Sequence, residues 1–289
     1  MKRLFYLIFI VLILSSCSTL RNFQERKKQQ NLKENFHIYL LLGQSNMAGR
    51  GEVEEIDTLV HPRVYMLTED TIWTLAKNPL HFDKPKAVGM GLGLSFGEKM
   101  AEHDTLVNIG LIPCAKGGTS IKHWYIDTYH ELTNSYPYNE AIGRIKKGMN
   151  RGVIKGILWH QGESDCKVED DVTVYKEKFL AFNDSLEKDL DLQNIPIIIG
   201  EIGDFLYDKR PLAKDLNDVL KEISLENNCI GLVKSDSLNH KGDKLHFNSD
   251  SYKNLGLRYA DEMIKIQEQC QPPTRNKKHR AKGGLFKRK

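Results

Sequence analysis

The chain contains five apolar segments of strand length, separated by stretches in which apolar residues recur at helical spacing. The five segments lie at residues 37–42, 106–113, 153–159, 195–200 and 230–234. Each is a nearly continuous apolar run, which is the pattern of a strand buried on both faces. Strands that alternate with amphipathic helices predict a parallel sheet covered by helices on both sides. The pattern therefore predicts one α/β domain with three layers, α/β/α, and a five-stranded parallel sheet over residues 36–270.

The first predicted strand ends at a glycine and is followed at once by a serine. The residues at this point are Gly43, Gln44 and Ser45. A side chain just past the carboxyl end of a buried strand lies at the edge where α/β proteins place their sites. Ser45 is therefore the candidate nucleophile of a hydrolase, although its neighbours do not form the Gly-x-Ser-x-Gly elbow. Two long inserts, at 49–88 and 117–137, follow strands at the same edge and are predicted to be loops that shape the site.

Three further groups offer what a serine nucleophile needs: a base, a carboxylate that orients the base, and donors for developing negative charge. His246 is the candidate base, and Asp243, three residues earlier, is placed to accept its Nδ1 proton. After the third predicted strand, Gln161 can donate to an oxyanion and Glu163 is an alternative partner for the base. Gly118 lies in a paired-glycine turn whose backbone N–H groups can approach a ligand closely. Each pattern alone is more typical of a structural turn or cap, so only their combination indicates catalysis.

Together these segments resemble a known family. The matching motifs, in chain order, are Gly43-Gln44-Ser45-Asn46-Met47, the turn Gly117-Gly118-Thr119-Ser120 with Trp124, His160-Gln161-Gly162-Glu163, and Asp243-x-x-His246. Their order is that of carbohydrate acetylesterases. Over residues 36–267 the chain resembles the sialic acid-specific acetylesterase-like group, which includes carbohydrate esterase family 6 and belongs to the SGNH hydrolase superfamily.

The resemblance implies a flavodoxin-like fold and ester hydrolysis that uses no metal or cofactor. Ser45 carries over as the nucleophile, its backbone N–H as one donor of the oxyanion hole, and His246 as the base. Asp243 occupies the usual place of the acid, whereas some members use the residue that matches Glu163, so both stay candidates. The usual block asparagine of the superfamily is absent from its expected place.

The resemblance also implies residues that surround the reacting ester. Gly118 and Gln161 carry over as the other two oxyanion donors. Asn46, Trp124 and His160 are further candidates for contact with the substrate, since an exposed Trp124 would stack on a sugar ring.

The reaction implied by the resemblance is removal of acetyl groups from glycans, of the acetylxylan or sialic acid type, through an acetyl-enzyme on Ser45. The expected partner is an acetylated carbohydrate, and the sequence does not identify the sugar. An alternative from a different class is a catalytically idle, lipid-anchored glycan-binding protein with the same fold. Hydrolysis of a chromogenic acetyl ester, with Ser45→Ala as the control, distinguishes the two.

The two ends of the chain differ from its middle. A basic start, an apolar run at 4–14 and the ending Ser15-Ser16-Cys17 are typical of an export signal, and the ending resembles a bacterial lipobox. The apolar run is too short to cross a bilayer. We expect a signal peptide over 1–17 with lipidation at Cys17, a flexible tether over 18–35, and a basic disordered tail over 271–289. These features predict an exported, lipid-anchored protein of the bacterial cell envelope; the alternative is an ordinary signal peptide or an uncleaved membrane anchor.

Net charge and cysteine content bear on nucleic-acid binding, disulfide pairing and structural zinc. The formal net charge of +4 becomes −4 without the eight Lys and Arg residues of the segment 275–289, so the body is mildly acidic and nucleic-acid binding by the fold is not predicted. Apart from Cys17, four cysteines remain, and their three possible pairings cannot be distinguished from sequence. The sequence contains no Cys-x-x-Cys pair, so no structural zinc site is predicted. Nothing in the sequence indicates the oligomeric state.

Overall fold

The structure of the protein, a computed structural model, describes residues 24–270 and 274–275. The predicted signal peptide at 1–17, with Cys17, and most of the predicted tail at 271–289 lie outside the described residues. The strands are β1 (Phe36–Gly43), β2 (Val64–Leu67), β3 (Trp73–Leu75), β4 (Asn108–Pro113), β5 (Val153–His160), β6 (Leu192–Gln193), β7 (Ile197–Gly200), β8 (Ile230–Val233) and β9 (Thr274–Arg275). The helices are α1 (24–34), α2 (Ser45–Ala48), α3 (Gly93–His103), α4 (Pro137–Gly148), α5 (Glu169–Thr173), α6 (Tyr175–Leu190), α7 (Leu212–Glu226) and α8 (Ser249–Gln269).

β1 lies in the middle of a seven-stranded sheet whose order is β3-β2-β4-β1-β5-β7-β8. Neighbouring strands are parallel except for β3, which pairs antiparallel with β2 at one edge. The five predicted strands correspond to β1, β4, β5, β7 and β8. Their order in the sheet, β4-β1-β5-β7-β8, is that of flavodoxin-like sheets.

The number of strands is corrected from five to seven, because the insert at 49–88 contains β2 and β3 and is not loop alone. β2 has four residues, of which three pair with β4, and β3 has three residues, all at least partly exposed. At four and three residues, these segments are too short for an apolar run or an alternation to distinguish a strand from other structure. They are strands because β4 offers a free edge, which is a tertiary effect that the local pattern does not contain.

Hydrophobic cores lie on both faces of the sheet, as the predicted three-layer arrangement requires. Successive side chains of a strand point to opposite faces. Thus Leu41 packs into the core under α3 and α8 together with Phe96, and Leu40 packs into the opposite core under α4, α6 and α7 together with Phe179 and Leu216. The predicted α/β/α class is therefore confirmed.

The described part of the predicted tether is helical. α1 covers residues 24–34, all exposed, and is composed almost entirely of Gln, Glu, Lys, Arg and Asn. All of these except Asn are good helix formers, and Gln30 Nε2 donates to Glu34 Oε1 one turn later at 2.9 Å. The described part of the expected tether over 18–35 is therefore helical instead of coil, and its flexibility stays a prediction. Near the other end, β9 pairs antiparallel with β6. None of the helices in the described ranges is both long and apolar enough to cross a membrane.

One of the possible cysteine pairings is present. Cys229 and Cys270 form a disulfide with a Cα–Cα distance of 5.0 Å, which joins the residue before β8 to the residue after α8. Cys114 and Cys166 are buried free thiols. Burial raises the pKa of Cys114 to about 11 and raises that of Cys166 further. Both thiols are therefore protonated and poor nucleophiles at neutral pH.

Candidate active site

The polar segments that the sequence singled out meet at the carboxyl edge of the sheet. Ser45 begins α2 directly after β1, Gly118 lies in the loop after β4, and Gln161 and Glu163 follow β5. His246 lies in the loop between β8 and α8. Because β4 and β5 flank β1 on opposite sides, the site lies at the point where the strand order reverses, which is where open α/β sheets bind ligands.

Ser45, His246 and Asp243 form a chain of hydrogen bonds. The Ser45 Oγ atom lies 3.0 Å from His246 Nε2, and His246 Nδ1 lies 2.7 Å from Asp243 Oδ2. Ser45 and His246 are 201 positions apart along the chain but are in direct contact. This is the geometry that a serine nucleophile, its base and the carboxylate that orients the base require.

The spacing of Asp243 and His246 has a local structural reason. Asp243 Oδ1 accepts the backbone N–H groups of Leu245 at 2.9 Å and His246 at 2.8 Å, while Oδ2 contacts the imidazole ring. An aspartate that accepts backbone N–H groups two and three residues later stabilises a tight turn. One carboxylate therefore fixes both the backbone and the ring orientation of His246.

The electrostatics of this pair suit a general base. Burial lowers the pKa of His246, and the Asp243 carboxylate offsets this only in part. Burial acts to raise the pKa of Asp243, but the hydrogen bonds that it accepts from the backbone and ring of His246 outweigh burial and leave its pKa below the ordinary value. At neutral pH the imidazole is therefore neutral and able to accept a proton, and the carboxylate is ionised.

The alternative acid, Glu163, has a different partner. Its Oε1 atom accepts a hydrogen bond from Asn46 Nδ2 and lies 3.8 Å from His160 Nε2. Asn46 Nδ2 also donates to the carbonyl of Leu245 at 3.1 Å, and Asn46 Oδ1 accepts from the Tyr252 hydroxyl at 2.7 Å. Glu163 therefore acts on the base indirectly, by holding Asn46 against the loop that carries His246.

The turn at Gly118 is shaped by a buried ion pair. Gly118 has φ +91°, a conformation that favours glycine, and at Gly117 a Cβ atom would lie 2.4 Å from an Arg50 nitrogen. Asp83 Oδ2 accepts both the Gly117 N–H and Arg50 Nη2 at 2.7 Å, while Arg50 Nη1 donates to the Gly49 carbonyl at 2.7 Å. The pair thus joins the loop after Ser45 to the turn after β4.

Two backbone donors are left for a ligand. Within the described residues, neither the Ser45 N–H nor the Gly118 N–H donates to a protein acceptor. They belong to the two loops that the Arg50–Asp83 pair joins. These are the backbone donors that the resemblance implies for an oxyanion.

Replacing Asp83 by alanine is expected to lower the free energy of unfolding by about 3–5 kcal/mol, because the change leaves the Arg50 guanidinium buried without its carboxylate. The two side chains are only 5% and 1% exposed. We also expect kcat for an acetyl ester to fall by up to about a hundredfold, because the Gly117 N–H loses its acceptor and the turn is no longer fixed. Urea unfolding and steady-state kinetics measure the two effects.

Asp261→Ala provides the matched control. Asp261 pairs with Lys99 at 2.5 Å, but its side chain is 63% exposed. A solvated pair of this kind contributes less than about 1 kcal/mol. Equal losses of stability in the two variants would contradict the structural role assigned to the buried pair.

Gln161 is buried, and its polar atoms are occupied by protein groups. Its Nε2 atom contacts Thr119 O at 3.0 Å, Gln44 Oε1 at 3.2 Å and Asp165 Oδ2 at 2.5 Å, and its Oε1 atom accepts from the Tyr175 hydroxyl at 2.9 Å. Three acceptors around one amide nitrogen leave no proton directed at a ligand. In this structure Gln161 joins the loops after β1, β4 and β5, and its role as an oxyanion donor stays a prediction.

The residues expected to contact substrate are buried beneath the site. Trp124 is fully buried, with its ring 5.2 Å from that of Trp159 and its Nε1 donating to Thr119 Oγ1 at 3.2 Å. His160 is also fully buried, and its Nδ1 lies 3.0 Å from the Tyr259 hydroxyl. For Trp124 and His160 the expectation of substrate contact is corrected, because neither side chain reaches solvent. Asn46, 1% exposed, is likewise occupied by protein partners.

The sequence reasoning missed Gln44, Arg50 and Asp83. Gln44 Oε1 accepts from Gln161 Nε2 and from the Ser164 N–H, both at 3.2 Å, and so fixes the loop after β5. Gln44 and Arg50 lie next to the segment that pointed to Ser45, and a polar side chain beside a buried strand is a usable signal. Asp83 lies within the long insert, and no local pattern distinguishes it from the other acidic residues there.

The described polar residues of the site do not form a metal-binding group. In the ranges that the structure describes, no group of three or more His, Cys, Asp or Glu side chains is placed to hold a metal ion. The residues at the carboxyl edge bind one another instead, through the hydrogen bonds given above.

An α/β/α domain that carries a hydrogen-bonded serine, histidine and aspartate at the carboxyl edge of its sheet has the arrangement of hydrolases that transfer acyl groups. The model of the family described as carbohydrate esterase, sialic acid-specific acetylesterase, matches residues 35–265. The chain belongs to this family, and it is therefore an esterase of the carbohydrate acetylesterase type.

Individual relatives agree with this assignment. The chain is 32% identical over 249 residues to the "Probable carbohydrate esterase At4g34215" of Arabidopsis thaliana, covering 78% of this chain and 90% of the relative. The crystal structure of that Arabidopsis protein has a TM-score of 0.68 at 29% identity, covering 80% of this chain and 98% of that one.

Two more distant structures share the fold. NanS matches with a TM-score of 0.66 at 16% identity, over 82% of this chain and 98% of its own. XAC1771, a carbohydrate acetylesterase from Xanthomonas citri, matches with a TM-score of 0.63 at 17% identity, over 80% of this chain and 56% of its own.

Proposed function

We propose that the protein removes acetyl groups from acetylated carbohydrates through an acyl-enzyme intermediate on Ser45. The observation that carries this proposal is the hydrogen-bonded series of Ser45, His246 and Asp243, with contacts of 3.0 Å and 2.7 Å. The family to which the chain belongs supports the choice of an acetylated carbohydrate as the substrate.

In the first half of the reaction, His246 Nε2 takes the proton of Ser45 Oγ as this oxygen attacks the acetyl carbonyl. The negative charge on the carbonyl oxygen is stabilised by the N–H groups of Ser45 and Gly118, which have no protein acceptor within the described residues. The C–O bond to the sugar then breaks, and the imidazolium returns its proton to the leaving sugar oxygen. The product of this half is a free sugar hydroxyl and an acetyl ester on Ser45.

In the second half, water takes the place of the sugar. His246 accepts a proton from the water, the resulting oxygen attacks the acetyl-enzyme, and the imidazolium then protonates Ser45 Oγ as acetate leaves. Asp243 stays ionised throughout and stabilises the imidazolium that forms in each half. Gln161 and the Arg50–Asp83 pair hold the loops that carry these groups.

The experiment that tests the proposal is the release of acetate from a panel of acetylated glycans by the full chain. We expect hydrolysis of acetylated xylan, another acetylated plant polysaccharide or an O-acetylated sialic acid, and loss of that hydrolysis in Ser45→Ala. Binding of the same glycans without release of acetate would instead favour an idle glycan-binding protein.

We further propose that the protein is exported and held in the bacterial cell envelope by a lipid on Cys17. The signal-like start of the sequence supports this, and so does the Cys229–Cys270 disulfide, because such bonds persist in oxidising compartments. Metabolic labelling with radioactive palmitate in a bacterial host is expected to label the wild-type chain and not Cys17→Ala. Cys114→Ala, which removes a buried thiol, is the control and should keep the label.

A further inference from the structure

A cleft of about 450 Å³ opens beside Gly118, whose N–H group is one of the two unoccupied backbone donors. One wall is the loop after β4, which carries His123 and Leu132, and the other is the loop after β5, which carries Ser164 and Val168. Small-molecule sites typically have volumes of about 300–1,000 Å³. The cleft therefore has the size of a ligand site and adjoins Gly118, one of the two backbone donors implied for the oxyanion.

His123 presents a hydrogen-bond donor to this cleft. The Ser120 N–H donates to His123 Nδ1 at 3.1 Å, so Nδ1 carries a lone pair and the proton of the neutral ring is on Nε2. The hydrogen bonds of the ring among the described residues, from the Ser120 N–H and with Ser120 Oγ at 3.0 Å, both involve Nδ1, and the half-buried side chain lines the cleft. The ring is held in place by the buried His130, whose ring centroid lies 4.6 Å away.

The cleft also exposes apolar surface. Leu132 is 73% exposed, and its Cδ1 atom lies 3.5 Å from the position that a Cβ atom would take at Gly118. On the opposite wall Val168 is 52% exposed. Exposed apolar side chains grouped at a polar cleft are typical of a ligand-binding groove. A sugar ring has this dual character, because its C–H faces are apolar and its hydroxyl groups lie around its edge.

The cleft carries charged side chains of both signs. Lys122 and Lys167 line it together with Glu131 and Asp171, and Lys84 Nζ lies 3.9 Å from the position that a Cβ atom would take at Gly118.

We propose that this cleft binds the sugar ring that carries the acetyl group, that His123 Nε2 donates to a sugar hydroxyl or ester oxygen, and that Leu132 and Val168 pack against the ring's C–H face. This proposal rests on the proposed acetylesterase function, because it places the leaving group of that reaction. It adds a site for substrate specificity whose residues are distinct from Ser45, His246 and Asp243.

Binding and turnover are tested separately, on the full chain in detergent. In the Ser45→Ala background, His123→Ala is expected to weaken binding of penta-O-acetylglucose about tenfold by calorimetry, the effect of one lost hydrogen bond. His123→Gln, which keeps an N–H donor, should restore most of the affinity. Leu132→Trp, which fills the cleft from an exposed position, should weaken binding at least as much. His103→Ala, an exposed histidine at the end of α3, is the matched control and should bind as the parent does.

With Ser45 present, His123→Ala and Leu132→Trp are expected to lower kcat/KM for penta-O-acetylglucose about tenfold, as one lost hydrogen bond would. Both should leave hydrolysis of p-nitrophenyl acetate unchanged, because this small ester has no sugar ring. Unchanged binding in both His123→Ala and Leu132→Trp would overturn the proposal. Equal losses on the two esters would overturn it as well, since they would indicate damage to the reacting groups.

The proposed function fails in a different way. A wild-type chain that hydrolyses neither ester, but whose binding of penta-O-acetylglucose still depends on His123, would overturn the esterase mechanism and leave the sugar site supported.

Discussion

Ser45→Ala is expected to lower kcat for the hydrolysis of an acetyl ester by about 10⁶-fold, because the bond-forming oxygen is lost while the rest of the site remains. The fold should be preserved, since Ser45 Oγ contacts only His246 in the described structure and the Ser45 carbonyl still accepts the Gly49 N–H. Steady-state kinetics with p-nitrophenyl acetate measure the loss of kcat. A thermal unfolding curve for each protein tests whether the fold is preserved.

Ser224→Ala is a suitable control for this variant. Ser224 lies on α7, and its Oγ atom donates to the Lys221 carbonyl at 2.8 Å, away from the reacting groups. Its kcat should equal that of the wild type. Substantial turnover by Ser45→Ala would mean that another group carries the acyl transfer.

Asp243→Asn is expected to lower kcat by about 10⁴-fold, because an amide opposite His246 Nδ1 stabilises the wrong tautomer and no longer balances the imidazolium. The variant should also change the pH dependence. In the wild type, kcat/KM is lost as the pH falls through the pKa of His246, which burial holds below the ordinary value for histidine. The Asp243 carboxylate raises that pKa. Its removal should therefore move the acidic limb of the profile to lower pH.

Two further variants make the pH experiment decisive between the candidate acids. Asp236→Asn changes an exposed aspartate in the same loop region, with a side chain 70% exposed, and should leave the profile unchanged. Glu163→Gln should lower kcat without moving the acidic limb, because Glu163 contacts Asn46 and not His246. A shift of the limb in Glu163→Gln and none in Asp243→Asn would reverse the assignment of the acid.

The five central strands could be predicted from the local pattern of apolar residues. The segments that became β1, β4, β5, β7 and β8 are apolar because strands in the middle of a covered parallel sheet are buried on both faces. The two additional strands could not be predicted in this way. β2 and β3 have only four and three residues, which is too short for an apolar run or an alternation to identify a strand, and β3 is the edge strand of the sheet.

The site residues that could be predicted from the sequence are those whose chemistry and spacing both indicate a role. Ser45 follows a buried strand, and Asp243 and His246 are near enough in sequence for one turn to bring them together. The sequence does not show which side of the fold a side chain faces. Trp124 was expected at the substrate because tryptophan stacks on sugars, but it packs against Trp159 in the core.

Contacts between loops that are distant in sequence could not be predicted from local sequence patterns. Asp83 is joined to Arg50 and Gly117 across more than thirty positions of the chain. The choice between Asp243 and Glu163 also depended on tertiary contacts, because either carboxylate could have been placed beside His246 by a suitable fold. Of these two carboxylates, only Asp243 forms a hydrogen bond with that ring in the structure.

The most direct test of the account is to identify the side chain that becomes covalently modified during turnover. We would treat the full chain with a fluorophosphonate and map the labelled peptide by mass spectrometry. We expect one label, on Ser45, and a large decrease of labelling in His246→Ala, because the imidazole 3.0 Å away activates the hydroxyl. A label on a different residue, or labelling of Ser45 that does not depend on His246, would contradict the proposed mechanism.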